Sequence, residues 1–171
     1  MSGLRSEALD SSHDREGFTC GVAALDEYLK RQSTQDARRH VAAVFVMVNE
    51  DHPQTILGYY TLASYAVETN GLPEETARKL PRYPTTPATL IGRLARATDA
   101  PGLGGLLLAD ALGRILANIR QVASALVVVD AKGEVAEAFY QKHGFISFGP
   151  SHRKLFLPMK TIAEASLRSA R

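Results

Sequence analysis

The stretch Arg93–Leu116, RLARATDAPGLGGLLLADALGRIL, constrains this chain most, because a β-like run, a glycine turn and an amphipathic helix follow one another without a break. Gly102, Gly104 and Gly105 remove side chains where the helix should begin. Backbone N–H groups that lack intrahelical partners can then face a phosphate or pyrophosphate, and the helix dipole adds to the attraction. Behind the turn, Leu108, Leu112, Ile115, Leu116 and Ile119 recur at helical spacing, with Asp110, Arg114 and Asn118 opposite. That apolar face anchors the turn on a core. Glycines between a strand and a helix also serve simply to permit a tight turn, and the spacing by itself leaves both readings open.

The 171 residues, 45% of them hydrophobic, suit one domain with a proper core. With 20 Lys and Arg against 18 Asp and Glu, the net charge of +2 argues by itself for neither nucleic acid nor membrane, so clustering matters more than the total. Cys20 is the only cysteine. It excludes an internal disulfide and a thiolate zinc site, fits a reducing cytoplasm, and reads as a small half-buried residue rather than a catalytic thiol. The opening MSGLRSEALDSSHDREG is polar and no later run approaches about 18 apolar residues, so neither export nor a membrane span is expected. His13, His40, His52, His143 and His152 are scattered without ligand spacing. They read as surface residues, and no metal site is expected.

Along the chain, residues 1–16 are expected to be loosely held across the surface or to form an edge element. From Gly21 an amphipathic helix places Val22, Leu25 and Leu29 on one face and ends in the basic Arg38-Arg39-His40. Val41–Val48 and Leu57–Val67 are apolar, β-branched runs joined through NEDHPQT, which predicts two antiparallel strands. Asn70–Pro87 interrupts the sheet with a short helix in PEETARKL and gathers Arg78, Lys79 and Arg82. Thr89–Ala95 then leads into the glycine turn. Ala125–Val129 has the composition of a strand buried on both faces. Glu134–Lys142 predicts a helix stopped by Gly144, and Phe145–Phe148 and Lys154–Met159 close the sheet around GPSHR, leaving 164–171 as a polar tail. This order describes an α+β fold, a mixed and largely antiparallel sheet flanked by helices.

Several chemistries are excluded by spacing: there is no G-x-x-x-x-G-K-[ST], no third glycine at position 107 to complete G-x-G-x-x-G, and no G-x-S-x-G. The remaining candidate is Tyr140. The helical period puts Val135 and Phe139 toward the sheet and turns Tyr140 about 100° away, where its phenol is either a proton donor or a packing residue with a wet hydroxyl.

Phe18-Thr19-Cys20-Gly21 with Leu25-Asp26-Glu27-Tyr28-Leu29, then Gly58-Tyr59-Tyr60-Thr61-Leu62, Asp130-Ala131-Lys132, Phe139-Tyr140 to Gly144-Phe145, and Leu155-Phe156-Leu157-Pro158-Met159-Lys160 recur in this order from residue 17 to 162. In these motifs the chain resembles the Gcn5-related N-acetyltransferase (GNAT) toxins of bacterial toxin–antitoxin modules. The resemblance implies a single GNAT domain over 17–163 that moves acetyl from acetyl-CoA to the α-amino group of aminoacyl-tRNA. It further implies a cytoplasmic homodimer that blocks translation and is neutralised by a ribbon-helix-helix antitoxin.

By the same resemblance Tyr140 is the general acid, and Leu94, Ala95 and Arg96 form the strand end that holds pantetheine and thioester. Gly102, Leu103, Gly104 and Gly105 form the pyrophosphate loop. The loop departs from the family pattern at Asp99-Ala100-Pro101 and is about two residues shorter, so Asp99 brings a negative charge toward the pyrophosphate. Arg38, Arg39, Arg78, Lys79, Arg82, Arg153 and Lys154, with His152, are candidates for holding RNA phosphates, or are ordinary solvated charge. The rival readings are a GNAT enzyme for a small amine or a protein N-terminus, and a binding module that has lost the coenzyme.

Overall fold

The computed structural model describes residues 3–150 and 153–171. Seven strands form one mixed sheet in the order β1-β2-β3-β4-β5-β7-β6. They are β1 Leu4–Ala8, β2 Ala43–Asn49, β3 Gly58–Glu68, β4 Thr85–Arg96, β5 Leu126–Asp130, β6 Ile146–Phe148 and β7 Lys154–Pro158. The helices are α1 Ala23–Glu27, α2 Ser33–Arg38, α3 Glu74–Ala77, α4 Leu103–Asn118, α5 Glu134–Lys142 and α6 Met159–Ser169. The described pairings are antiparallel except β4 with β5, and the α+β class expected from the sequence is the one observed. The chain divides into two compact units, Met1–Ala63 with Gly92–Ala111, and Ser64–Ile91 with Leu112–Arg171.

In the first unit, β1 pairs with β2 from Leu4↔Asn49 to Ala8↔Phe45, so the edge alternative for the N-terminal segment is the one taken. His13 departs from its expected surface position and is buried. The Asp10 N–H donates to its Nδ1 at 3.0 Å, which leaves the proton on Nε2, 2.8 Å from Glu7 Oε1. Both ring nitrogens are thereby satisfied, one by Glu7 of β1 and the other by the loop that follows it, and the hydrogen bond to His13 is the main cause holding the Glu7 carboxyl below its usual range.

The helix expected from Gly21 is broken into α1, a π-turn at Tyr28–Gln32, and α2. Ser33 accounts for the break. Its N–H donates five residues back to Tyr28 O, and its buried hydroxyl takes the Leu29 carbonyl at 2.6 Å, the acceptor an α-helix would have given to that N–H. Leu29 is fully buried, but Val22 precedes the helix in an extended conformation and is exposed, contrary to the predicted face. The core gathers Phe18, Tyr28, Leu29, Val44, Val46, Val48, Ile56, Tyr59, Ala95 and Ala97.

In the second unit Val67, Leu72, Ala88, Leu126, Val128 and Phe156 form the core, with Leu80 packed against it. The proline-rich excursion is thus fastened by its own leucines. Its ends are joined where the Thr69 N–H donates to Pro84 O at 3.1 Å and the buried Thr69 and Thr86 hydroxyls meet at 2.8 Å. Val127, Val128 and Val129 are all fully buried, as an apolar strand covered on both faces requires. The C-terminal residues expected as a polar tail continue as α6 to Ser169, which buries Met159 and Ile162.

Two side-chain faces differ from the periodic reading. The buried line of α4 starts at its first residue and takes Leu103, Leu107, Leu108, Ala111 and Ile115, leaving Leu112, Leu116 and Ile119 half-buried. Asp110, expected in solvent, is half-buried because the hydroxyl of fully buried Tyr60 requires an acceptor and donates to Asp110 Oδ2 at 2.5 Å. On α5, Val135 is 87% exposed and Phe139 half-buried, whereas Tyr140 is the buried residue. The helix is rotated by about one residue from the predicted orientation.

Candidate active site

In the first unit, β4 runs on through Gly92–Arg96 beyond its last pair with β5, Ile91↔Val129. Along this extension Leu94 is half-buried, Ala95 is buried in the core, and the exposed Arg96 donates from Nη1 to Ala97 O at 3.2 Å. The chain is then pinned: the Ala97 N–H donates to Leu57 O at 2.8 Å and the Thr98 N–H to Thr19 O at 2.9 Å. Gly58 makes room for this arrangement. A Cβ there would lie 3.0 Å from Ala95 O and 2.5 Å from Leu107 Cδ1.

The turn that follows has Gly102 at φ +80°, a conformation that disfavours any side chain, with open space around it. Leu103 anchors the turn: its side chain is fully buried and its N–H donates to Ala100 O at 3.4 Å. Gly104 and Gly105 open α4, where the first N–H groups have no intrahelical acceptors. Donors of that kind beside open space suit a pyrophosphate. Pro101 lies in the turn before the helix, so its missing N–H costs the helix nothing, and Asp99 is exposed beside it.

The motifs near the N-terminus acquire a physical reason. Asp26 on α1 accepts the Cys20 N–H at 2.9 Å and the Thr19 hydroxyl at 3.3 Å, fixing the approach to the helix. Burial, followed by Asp26, pushes the Cys20 thiol up to about 11, so it stays protonated at neutral pH and is a poor nucleophile. Tyr28 donates to Asp36 Oδ2 at 2.8 Å, and Gln32 donates to Asp36 Oδ1 at 2.9 Å. The Tyr28 ring lies against Tyr59 at 6.4 Å and 14°, and the Arg93 guanidinium sits 3.5 Å from the Tyr28 ring centre. Sequence reasoning missed Arg93 and Tyr28. The available signal was one arginine inside the otherwise apolar run TLIGRLA.

Tyr140 belongs to the second unit. Its ring is enclosed by Phe139 at 5.2 Å and Phe145 at 5.4 Å, and burial raises the phenol to about 12. The hydroxyl has no hydrogen-bond partner among the described residues, yet no buried side-chain N or O is left unpaired there. It therefore reaches solvent, as a proton donor to an incoming group must. Of the basic candidates, Arg38, Arg39, Arg78, Lys79, Arg82 and Arg153 are exposed, while half-buried Lys154 donates to Tyr65 Oη at 2.7 Å. His152 lies outside the described residues. No helix among the described residues is long and apolar enough to cross a membrane.

A curated relative from Sinorhizobium fredii named "Probable toxin TacT" is 31% identical over 166 residues, covering 91% of each chain. The chain belongs to the GNAT toxins of bacterial toxin–antitoxin modules. A second relative of this GNAT toxin, the tRNA-acetylating toxin of Mycobacterium tuberculosis, is 29% identical over 148 residues and covers 85% of this chain and 86% of its own. Among solved structures, a Tyr-to-Phe mutant of KacT matches with TM-score 0.89 and 29% identity over 96% of this chain and 99% of that one. AtaT complexed with acetyl-methionyl-tRNAfMet matches with TM-score 0.87 and 29% identity over 95% and 98%. AtaTR bound with acetyl-CoA matches with TM-score 0.84 and 29% identity over 96% and 99%. No protein-family model matches the chain.

Proposed function

We propose that this toxin transfers the acetyl group of acetyl-CoA to the α-amino group of aminoacyl-tRNA in the cytoplasm, and so blocks translation until a cognate ribbon-helix-helix antitoxin neutralises it. The observation that carries the reading is the match, over nearly the whole chain, to AtaT holding an acetylated aminoacyl-tRNA. Residues 17–163 carry the activity, acting as a homodimer.

The chemistry asks little of a base. An α-amine with a pKa of about 7.7 to 8.0 is already partly neutral at cell pH. It attacks the thioester carbonyl, and backbone N–H groups of Leu94–Arg96 stabilise the developing oxyanion. The helix start at Gly102–Gly105 binds the pyrophosphate. Tyr140 protonates the departing thiolate as the C–S bond breaks, and the proton lost by the acylated nitrogen passes through water, restoring the phenol. A phenol is protonated at pH 7 even before burial raises it to about 12, and the Tyr140 hydroxyl has no hydrogen-bond partner among the described residues to compete for its proton.

The test is transfer of labelled acetyl from acetyl-CoA onto a panel of aminoacylated tRNAs, with wild type and Tyr140→Phe. Wild type is expected to label at least one charged tRNA, with a rate that falls steeply with salt. Tyr140→Phe should be slower by about 10²- to 10⁴-fold. Wild-type transfer confined to small amines, or a mutant as fast as wild type, overturns the substrate or the acid respectively.

A further inference from the structure

Arg93 is half-buried, and its guanidinium makes no hydrogen bond or ion pair among the described residues. Five N–H donors in such a place are costly unless something receives them. The group is nevertheless held in place: it sits over the ring of Tyr28, 3.5 Å from its centre, and that residue's hydroxyl is tied to Asp36 while its ring rests on fully buried Tyr59. Asp36 is itself occupied by Tyr28 and Gln32 and forms no ion pair with Arg93. The π-turn begins at Tyr28, so the platform is built where the helix departs from regular geometry. A guanidinium stacked on an aromatic ring keeps its donor edge free and is preorganised to receive two oxygens of an anion.

On β4 the Arg93 side chain leaves the same face as Ala95, next to the strand end assigned to the thioester. It lies roughly 10 Å before the end of that strand, at about 3.3 Å per residue, and so away from the glycine turn assigned to the pyrophosphate. The anion that belongs beside the acetyl group, rather than at the far end of the coenzyme, is that of the acceptor. The α-carboxyl of an aminoacyl ester is esterified and uncharged, so the anion common to every charged tRNA beside the aminoacyl group is the phosphodiester next to it.

We propose that Arg93, clamped on Tyr28, receives a phosphodiester at the 3′ end of the acceptor RNA and thereby holds the aminoacyl group at the acetyl-transfer strand. This rests on the aminoacyl-tRNA reading above. Arg93 is a substrate-binding residue that takes no part in proton transfer.

The experiment measures steady-state kinetics on aminoacyl-tRNA over a range of salt for wild type, Arg93→Gln and Arg93→Lys, with acetyl-CoA affinity by calorimetry. Arg93→Gln is expected to raise KM for aminoacyl-tRNA about tenfold or more, to leave kcat within about threefold, and to leave acetyl-CoA binding unchanged. The slope of log(kcat/KM) against log[salt] should become shallower by about 0.7 to 0.9, the loss of one phosphate contact. Arg93→Lys, which keeps the charge but loses the planar fork, should raise KM while retaining the wild-type slope. It supplies the test if the glutamine variant does not fold. A merely structural arginine would lower stability or kcat and leave the slope alone, and that result overturns the proposal. So does a loss that appears in acetyl-CoA affinity. Wild-type protein that acetylates no aminoacyl-tRNA refutes the underlying function, whereas active wild type with an indistinguishable Arg93→Gln refutes only the role of Arg93.

Discussion

Gly58→Ala tests how the end of β4 is held against the helix that follows the glycine turn. The new Cβ would stand 2.5 Å from Leu107 Cδ1, 3.2 Å from Leu107 Cδ2 and 3.0 Å from Ala95 O. Ordinary carbon contacts are about 3.5 to 4.0 Å, so the overlap with Cδ1 is about 1 Å or more. Rotating Leu107 about χ2 exchanges one methyl group for the other without clearing both, and a fully buried side chain has nowhere else to go. Overpacking of this kind costs about 1 to 3 kcal/mol, and we expect the upper part of that range. Leu107→Ala alone should cost about 2 to 5 kcal/mol through the cavity it leaves. In the double variant the alanine methyl at position 58 occupies part of that cavity, so the combined cost should fall short of the sum by about 1 to 2 kcal/mol. The residual contact with Ala95 O prevents full compensation. Urea denaturation of wild type, the two single variants and the double variant at one temperature yields the coupling directly. Costs that add within about 0.5 kcal/mol would refute the steric account, and glycine at position 58 would then need another reason.

Asp99→Asn should tighten acetyl-CoA about two- to fivefold by calorimetry at low salt, the scale of an exposed charge contact, and the gain should shrink as salt is added. An unchanged affinity would mean that the Asp99 carboxylate lies too far from the pyrophosphate to matter. Stability should fall above pH 10. In the unfolded chain Tyr140 ionises near 10, whereas burial holds it at about 12 in the folded protein, so its contribution is fully present below pH 10 and is lost as pH rises toward 12. Thermal midpoints between pH 9 and 11.5 should drop less in Tyr140→Phe than in wild type. That variant should be about as stable as wild type at pH 7, because the hydroxyl it removes has no partner among the described residues.

The strands were legible because each is a short apolar run bounded by turn residues, and Val127–Val129 show why such a signal works: burial on both faces leaves no room for a polar residue. Helical faces were less legible. A moment calculated from spacing averages over the whole helix, but the buried line of α4 is set by where the helix starts, and Leu103 is both its first residue and its anchor. On α5 the aromatic pair Phe139-Tyr140 offers two adjacent candidates for one buried place. Only packing against Phe145 decides between them, and it selects Tyr140. The π-turn was invisible for a different reason: it depends on one serine hydroxyl taking a carbonyl, and serine occurs in ordinary helices as well.

The same contrast explains what could be read of the site. Glycines announce themselves because their absence of a side chain is a backbone statement, and Gly102 at φ +80° bears that out. Arg93, Tyr28, Asp36 and Tyr59 are far apart in sequence and unexceptional singly, so their meaning exists only once β4 and the α1–α2 segment are brought together within one unit. Their arrangement also joins two motifs that the sequence left separate. The aromatic of Leu25-Asp26-Glu27-Tyr28-Leu29 and the first tyrosine of Gly58-Tyr59-Tyr60 form one stacked platform under a cation. If that platform existed only for packing, an apolar residue at position 93 would serve it as well as a guanidinium that makes no hydrogen bond or ion pair among the described residues, because partial burial of the charge has a desolvation cost. The chain keeps the charge next to the strand assigned to acetyl transfer, where the Tyr28 ring and the field of Asp36 offset part of its cost and its hydrogen-bond donors remain available to an incoming anion.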